Sequence, residues 1–174
     1  MTIETIFFDR DGIINDVVMR GQAISSPRSL SEFRIREDFR SFYDQLPKDL
    51  NLFVVSNQPD VARQLLLPAA LEEMNQKLQS IFSFTDIVYC LHDDRDNCQC
   101  RKPKPGMLSN LLARYNINKD EAIILGDSEK DILAGQAAGI KTVYFKDRHN
   151  QTPSCHPDFI INKLNDMLGI LKTY

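Results

Sequence analysis

The chain has 174 residues, 43% of them hydrophobic and 26% charged, and a formal net charge of −3. That length suits one domain with a substantial core, and the slight acidity offers no basic face of the kind that nucleic acid or an anionic membrane attracts. No apolar run approaches the ~18 residues that cross a bilayer, and the N-terminus lacks the basic-then-apolar pattern of a signal peptide; the expectation is a cytoplasmic monomer, one domain over residues 1–174, in a compartment where structural disulfides are rare.

Taken in order, the first element is Ile6-Phe7-Phe8, an apolar run that reads as a buried strand ending at Asp9. Asp9 and Asp11 can face one crevice, because side chains alternate along a strand, and Gly12 lets the backbone turn away. In an open α/β sheet the crevice beyond the strand C-termini receives ligands. One carboxylate could attack or hold a metal, and the other could move a proton. The plainer alternative is a strand followed by a solvated acidic turn, so the rest of the chain has to decide.

Residues 13–35 read as a long irregular excursion over the mouth of that strand. A helix is expected from about Glu37 to Leu46, with Phe39, Phe42, Tyr43 and Leu46 on one face and Pro47 as its stop. Residues 50–55 form a second buried strand, closed by Ser56-Asn57-Gln58-Pro59. A short helix near Asp60 and a longer one over about 69–81 follow. Residues 86–91 are a third strand that runs into a cysteine-rich loop, and Pro105-Gly106 opens a helix through Tyr115, with Asn116 as its stop. Residues 122–125 are a fourth strand, ended by Gly126-Asp127-Ser128; residues 129–138 are helical, with Gly139 as a left-handed cap. Strands over 141–145 and 159–161 and a C-terminal helix complete the chain. Strands alternating with helices imply an α/β fold with a doubly wound parallel sheet. No internal repeat or linker interrupts it.

Polar groups now stand at three strand ends: Asp9 and Asp11, Ser56 and Asn57, and Asp127 with Asp131. Between the last two sits Arg101-Lys102-Pro103. A second carboxylate centre at Asp127 makes sense if a magnesium ion lies between it and Asp9, since hard cations take oxygen ligands. A hydroxyl and a lysine nearby would then hold a phosphoryl group by hydrogen bonding and charge.

Asp9-Arg10-Asp11-Gly12, Ser56-Asn57-Gln58, Lys102 and Gly126-Asp127-Ser128-Glu129-Lys130-Asp131 resemble, in order, the four motifs of the haloacid dehalogenase superfamily. The match spans nearly the whole chain and implies the Rossmann-like fold of that superfamily, here without a separate cap domain. By that resemblance Asp9 is the nucleophile that forms an aspartyl-phosphate. Asp11 protonates the leaving oxygen and then activates water. Asp9, the backbone carbonyl of Asp11 and Asp127 hold magnesium, while Ser56 and Lys102 bind the transferring phosphoryl group and Asp131 orients Lys102 or the metal's waters. Many parts are needed: phosphate monoester hydrolysis can require accelerations of ~10²¹-fold, and a single general acid contributes only about 10² to 10⁴.

The second feature is Cys90-x-His92 followed by Cys98-x-Cys100. Three thiols and one imidazole make a full tetrahedral zinc set with no open position, the pattern of a structural site; the alternative is three incidental thiols beside a surface histidine. Ordering the loop over residues 90–100 costs on the order of 11–22 kcal/mol of backbone entropy, and structural zinc returns roughly 10–16 kcal/mol in small peptides. The metal can therefore decide whether this zinc-clipped loop, and Arg101-Lys102 directly after it, is ordered. Cys155, His149 and His156 lie in a polar late loop and read as non-catalytic.

The clip together with Cys-x-Cys-Arg-Lys-Pro-x-Pro-Gly-Met resembles the D-glycero-D-manno-heptose 1,7-bisphosphate phosphatases. The related histidinol-phosphate phosphatases carry the same zinc ligands. Ser56-Asn57-Gln58 and Val61-Ala62-Arg63 also resemble the heptose group, whereas Pro59-Asp60 replaces its usual Ser-Gly and Gln64 its usual Gly; the short zinc loop is closer to the histidinol group. The resemblance implies a magnesium-dependent sugar-phosphate phosphatase with a structural zinc. Removal of the 7-phosphate of the heptose bisphosphate is the leading expectation, and histidinol phosphate is the alternative substrate. A zinc-stabilised binding module without turnover is the reading from another class, and the full set Asp9, Asp11, Lys102 and Asp127 argues against it. The phosphate that remains on the substrate needs cations of its own, for which Arg20, Arg28 and Arg101 are available, with Asn57 and Gln58 as further substrate contacts. A cationic amine would instead want Asp16, Glu32 or Asp60.

Overall fold

The computed structural model describes residues 2–147, 150 and 153–173. Its centre is a six-stranded sheet. The strands are β1 (Thr5–Phe8), β4 (Asn51–Asn57), β5 (Asp86–Cys90), β6 (Ala122–Gly126), β7 (Lys141–Phe145) and β8 (Phe159–Ile161), in the order β5-β4-β1-β6-β7-β8. Every neighbouring pair is parallel. Chain order reverses at β1, which lies between β4 and β6. A sheet of this kind binds ligands beyond the strand ends at such a reversal.

The apolar run that predicts β1 is buried on both faces, and alternation divides it between two layers. Ile6 and Phe8 pack with Phe39, Phe42, Leu71, Met74, Leu78 and Met167, so one layer contains α1 (Glu37–Tyr43), α2 (Pro68–Ile81) and α5 (Asp166–Leu171). Phe7 faces the other way, into Phe53, Met107, Leu111, Ala134 and Ala138, the layer of α3 (Gly106–Arg114) and α4 (Glu129–Ala138). Each fully buried phenylalanine contributes roughly 1.5–3 kcal/mol, and Phe8 meets Phe39 and Phe42 edge-on. Helix α4 ends where expected, at Gly139 in the left-handed region.

Three local expectations change. The excursion over residues 13–35 contains an antiparallel hairpin, β2 (Val18–Arg20) and β3 (Ala23–Ser25). Gly21 at φ 65° forms the first position of its two-residue turn, as a type II′ hairpin requires. Helix α1 stops at Tyr43, and Gln45 and Leu46 follow with tighter i−3 hydrogen bonds. The short helix near Asp60 does not form. Its residues make turns only, and Gln64 at φ 58° ends the sequence of turns before a second helical turn can propagate.

Candidate active site

Asp9 follows the last residue of β1, and its N–H donates to the Leu125 carbonyl at 2.9 Å, which ties it to the end of β6. Asp127 follows β6, and Ser56 and Asn57 close β4. Two glycines permit this convergence. Gly12 has φ +93°, and a Cβ there would lie 2.0 Å from Asp127 Oδ2. A Cβ on Gly126 would lie 2.3 Å from the Asp131 Cβ. The carboxylates of Asp127 and Asp131 occupy the space that side chains at these positions would need.

Lys102 is buried at the focus. Its ammonium donates to Asp9 Oδ1 at 2.8 Å and to the Val55 carbonyl at 2.7 Å, and stands 2.6 Å from Asp131 Oδ1. Asp131 in turn accepts from the Ser128 N–H and hydroxyl, 3.1 and 2.8 Å, as the capping box of α4. Asn57 locks the Lys102 backbone through two bonds: its Nδ2 donates to the Lys102 carbonyl at 2.9 Å, and its Oδ1 accepts from the Lys102 N–H at 3.0 Å.

Asp11 points into a different set of partners. Arg10 Nε and Nη2 donate to its two oxygens at 3.1 and 3.2 Å. Asn15 Nδ2 donates to Oδ1 at 2.9 Å, and Gln58 Nε2 to Oδ2 at 2.8 Å while also reaching Ser56 Oγ at 2.8 Å. Arg36 fixes the loop from outside, its Nη1 donating to the Gly12 carbonyl at 3.1 Å and to Asp147 at 2.9 Å.

Electrostatics separate the two aspartates. Burial pushes Asp9 up to about 7, reinforced by Asp131 and Asp11 and opposed by Lys102. Asp127 is also raised well above the usual carboxylate range, by burial and by the carboxylates of Asp9 and Asp131. Asp11 is also buried, but the Arg10 guanidinium and the bonds from Asn15 and Gln58 outweigh that and lower it. Burial alone would lower Lys102; Asp131 and Asp9 raise it instead. Asp9, Asp127 and Asp131 bring carboxylate oxygens within 4.8 Å of one another. Three carboxylates against one ammonium is a surplus of negative charge that suits a hard divalent cation. Asp131 is engaged by both Lys102 and Ser128, Asp9 by Lys102 alone, so Asp9 and Asp127 are the carboxylates that could hold such an ion.

The cysteine–histidine set also converges. Sγ atoms of Cys90, Cys98 and Cys100 lie 3.2–3.6 Å apart, and His92 Nδ1 is 3.5 and 3.3 Å from Cys90 and Cys100. Tetrahedral zinc with bonds of ~2.3 Å to sulfur and ~2.0 Å to nitrogen needs edges of about 3.5–3.8 Å, so the set fits that ion. Burial and the bond from Cys100 push Cys90 up to about 12, whereas Cys98, despite burial, is brought down to about 7 by the Arg101 N–H and its thiol neighbours.

A cleft of about 760 Å³ opens over the centre, lined by Asp9, Asp11, Ser56, Lys102 and Asp127 and by the β2–β3 hairpin. A larger cavity of about 1030 Å³ touches Gly12 and Asp127 from the other side of the hairpin but contains neither Asp9 nor Lys102. Arg20, Arg28 and Arg101, read from the sequence as substrate contacts, all line the cleft. Each already meets a carboxylate: Arg20 meets Glu32, Arg28 meets Asp60, and Arg101 meets Asp94. Asn57 and Gln58 are bound to Lys102 and to Asp11 and Ser56.

Sequence reasoning did not assign Arg10, Asn15, Arg36 or Arg63. Arg10 could have been noticed as a charge locked between two aspartates. Asn15, Arg36 and Arg63 sit in or beside irregular segments without a periodic signal. Cys155 is half-buried; His149 lies outside the described residues. Among the described residues no helix is long and apolar enough to cross a membrane.

Residues 99–167 match the HAD-hydrolase-like family model. A D-glycero-beta-D-manno-heptose-1,7-bisphosphate 7-phosphatase of Neisseria meningitidis is 32% identical over 144 residues, covering 80% of this chain and 75% of that protein. One of the same name from Helicobacter pylori is 30% identical over 146 residues, covering 80% and 82%. The histidine biosynthesis bifunctional protein HisB of Campylobacter jejuni is 28% identical over 153 residues, 81% of this chain but 41% of that protein. Among solved structures, the D,D-heptose 1.7-bisphosphate phosphatase from B. bronchiseptica complexed with magnesium and phosphate has a TM-score of 0.81 at 23% identity, covering 98% and 99% of the two chains; at that identity the likeness concerns the fold.

Proposed function

We propose that this chain, which belongs to the family of D-glycero-beta-D-manno-heptose-1,7-bisphosphate 7-phosphatases within the HAD-like hydrolases, removes the 7-phosphate of D-glycero-D-manno-heptose 1,7-bisphosphate. That it is a phosphatase follows from the family. The observation that carries the chemistry is the Lys102–Asp9 contact at the sheet's reversal point, with Asp127 beside it.

In this reading Asp9 attacks phosphorus, the bond from phosphorus to the sugar oxygen breaks, and Asp11, held ionised by Arg10, Asn15 and Gln58, relays to that oxygen a proton brought in by the phosphate monoester. Water then attacks the aspartyl-phosphate and gives a proton to Asp11, and inorganic phosphate leaves with Asp9 restored. Ser56 and Lys102 hold the phosphoryl oxygens by hydrogen bond and charge. Asp131 keeps the Lys102 ammonium aimed, and Asn57 fixes its backbone. Gln58 and Asn15 orient the Asp11 carboxyl. Magnesium would be held by Asp9, Asp127 and the backbone carbonyl of Asp11, and when bound it offsets the charge of the phosphate and of the carboxylates. Zinc would be held by Cys90, His92, Cys98 and Cys100 as a structural ion.

The heptose assignment rests on the relatives of that name at 30–32% identity over three quarters or more of their length. The test is a turnover panel with magnesium present: the heptose 1,7-bisphosphate, other sugar phosphates and histidinol phosphate. The heptose bisphosphate is expected to give the highest kcat/KM. If histidinol phosphate is best, the heptose assignment fails and the phosphatase assignment stands.

A further inference from the structure

Among the described residues, the four arginines that line the cleft are held in two different ways. Arg20 lays its fork on Glu32, with Nη1 at 3.1 Å and Nη2 at 2.6 Å, and places Nε 3.3 Å from Ser25 Oγ. Arg63 forks onto Asp93 through Nε at 2.9 Å and Nη2 at 2.5 Å, and its Nη1 lies 3.5 Å from Asp60. Both guanidinium groups are engaged at all three nitrogens. Arg28 is held by one nitrogen only: Nε donates to Asp60 Oδ2 at 2.7 Å. Its Nη1 and Nη2 make no hydrogen bond among the described residues, and the side chain, 29% exposed, lines the cleft. Arg101 is similarly held at Nε by Asp94, 2.7 Å, with a long 3.4 Å bond from Nη1 to the His92 carbonyl, but its side chain is only 9% exposed.

Asp60 explains this difference. Its side chain is 9% exposed and faces a cleft that handles phosphate, a position where a lone carboxylate would repel the substrate. It stands instead between Arg28 and Arg63. By gripping Nε of Arg28 it fixes the long side chain and leaves the Nη pair uncommitted. A guanidinium with its inner edge clamped and its outer pair free is a preorganised receptor for one more anion, because two N–H donors can meet two phosphate oxygens at once. Preorganisation matters because a flexible arginine would otherwise lose rotamer freedom on binding.

We propose that Asp60 is a positioning residue that aims Arg28 at the phosphate the substrate retains, so that the cleft selects sugar bisphosphates over monophosphates. Arg20 and Arg63, whose forks are occupied, hold the rim together and do not receive that phosphate. This rests on the bisphosphatase reading above and deepens it.

The test compares wild type, Arg28→Ala, Arg28→Lys, Asp60→Asn and the double variant Arg28→Ala with Asp60→Asn. Two pairs of substrates are used: heptose 1,7-bisphosphate with heptose 7-phosphate, and fructose 1,6-bisphosphate with fructose 6-phosphate. Arg28→Ala is expected to raise KM for a bisphosphate ~10-fold or more, the size of one charge-assisted contact, with kcat within about twofold. Arg28→Lys, which keeps the charge and loses the fork, and Asp60→Asn, which keeps an acceptor and loses the charge, should raise it roughly 3- to 10-fold. All should lose less on the matching monophosphate, which also reports that the variants are folded. In the Arg28→Ala background, Asp60→Asn should add almost nothing. Equal losses on both members of a pair, or a full additional loss from Asp60→Asn in the double variant, would overturn the proposal. So would a wild type that shows no preference for either bisphosphate. If fructose 1,6-bisphosphate proves the better substrate and its preference depends on Arg28 and Asp60, the receptor stands and the heptose assignment falls.

Discussion

The two four-residue constellations of this chain rest on opposite kinds of support. Asp9, Ser56, Lys102 and Asp127 stand at or against the ends of β1, β4 and β6, where sheet hydrogen bonds and a two-layer core hold the backbone. Of the cysteine–histidine set only Cys90 lies on a strand, at the end of β5; His92, Cys98 and Cys100 belong to the loop between β5 and α3. The strand-based centre is preorganised by the fold itself, whereas the loop-based one lacks that support, and a bound ion would supply it. A site placed on strands can tolerate loss of a charge without loss of structure, and a site placed on a loop cannot.

Asp9→Asn is the sharpest way to test the first half of that contrast. Turnover of an aryl phosphate with magnesium should fall by at least ~10³-fold, because the covalent acceptor is gone. The melting temperature should hold or rise, since one of three crowded carboxylates is neutralised. A variant that retains more than a few percent of activity would sink the aspartyl-phosphate mechanism. Asp11→Asn should also be severely impaired, with the Arg10, Asn15 and Gln58 framework still in place.

The second half predicts the opposite pairing of effects. Cys98→Ser, or stripping zinc with a strong chelator and restoring magnesium alone, should lower stability and activity together. The expected cost is roughly 2–4 kcal/mol, above the typical single substitution because loss of a metal is among the mechanisms behind the larger losses, with activity following because Lys102 comes directly after the loop. Elemental analysis of freshly purified, unchelated protein should give about one zinc per chain. Protein that contains no zinc, melts unchanged and turns over normally would remove the distinction between the two regions.

The same contrast decides what could be read from the sequence. Strand β1, strand β7 and helix α4 were legible because each has one strong local cause: an apolar run, a β-branched and aromatic run, and a capping box closed by Gly139. The motif residues were legible as types because only a few chemistries use aspartates at strand ends with a lysine. Their partners were not. That Asp11 sits in a framework of Arg10, Asn15 and Gln58, and that Asn57 binds the Lys102 backbone, depends on contacts across up to 47 residues of chain. The hairpin β2–β3 escaped because three-residue strands of mixed polarity carry almost no periodic signal, although Gly21-Gln22 between Val-Val-Met-Arg and Ala-Ile-Ser was a usable turn cue.

Asn57 is where the two regions meet, so Asn57→Ala should uncouple them. Lys102 would lose both backbone bonds to β4, and the exposed costs of such unmet groups run to about 1–3 kcal/mol. A fall in kcat of roughly 10-fold is expected with zinc content unchanged. A loss of zinc along with activity would show instead that the loop, not the strand, sets the position of Lys102.

The smallest effect concerns the turn that joins them, residues 59–66, whose Arg63 pairs with Asp93 in the loop and whose Asp60 pairs with Arg28 over the cleft. Gln64 there adopts φ 58°, a left-handed conformation that costs a residue with a Cβ roughly 1–2 kcal/mol. The Gln64 side chain is exposed and makes no hydrogen bond among the described residues, so nothing is lost with it. Gln64→Gly should relieve that strain while restoring freedom to the unfolded chain, which takes back about 0.5–1 kcal/mol. The net gain is therefore at most ~1 kcal/mol, a rise in melting temperature of roughly 2–4 °C for a chain of this size. Activity should not change, because the glycine holds the same φ and leaves Asp60 and Arg63 where they are. If the melting temperature rises but KM for the bisphosphate rises as well, the rigidity of Gln64 serves the arginine–aspartate rim rather than the fold, and the turn belongs functionally to the cleft.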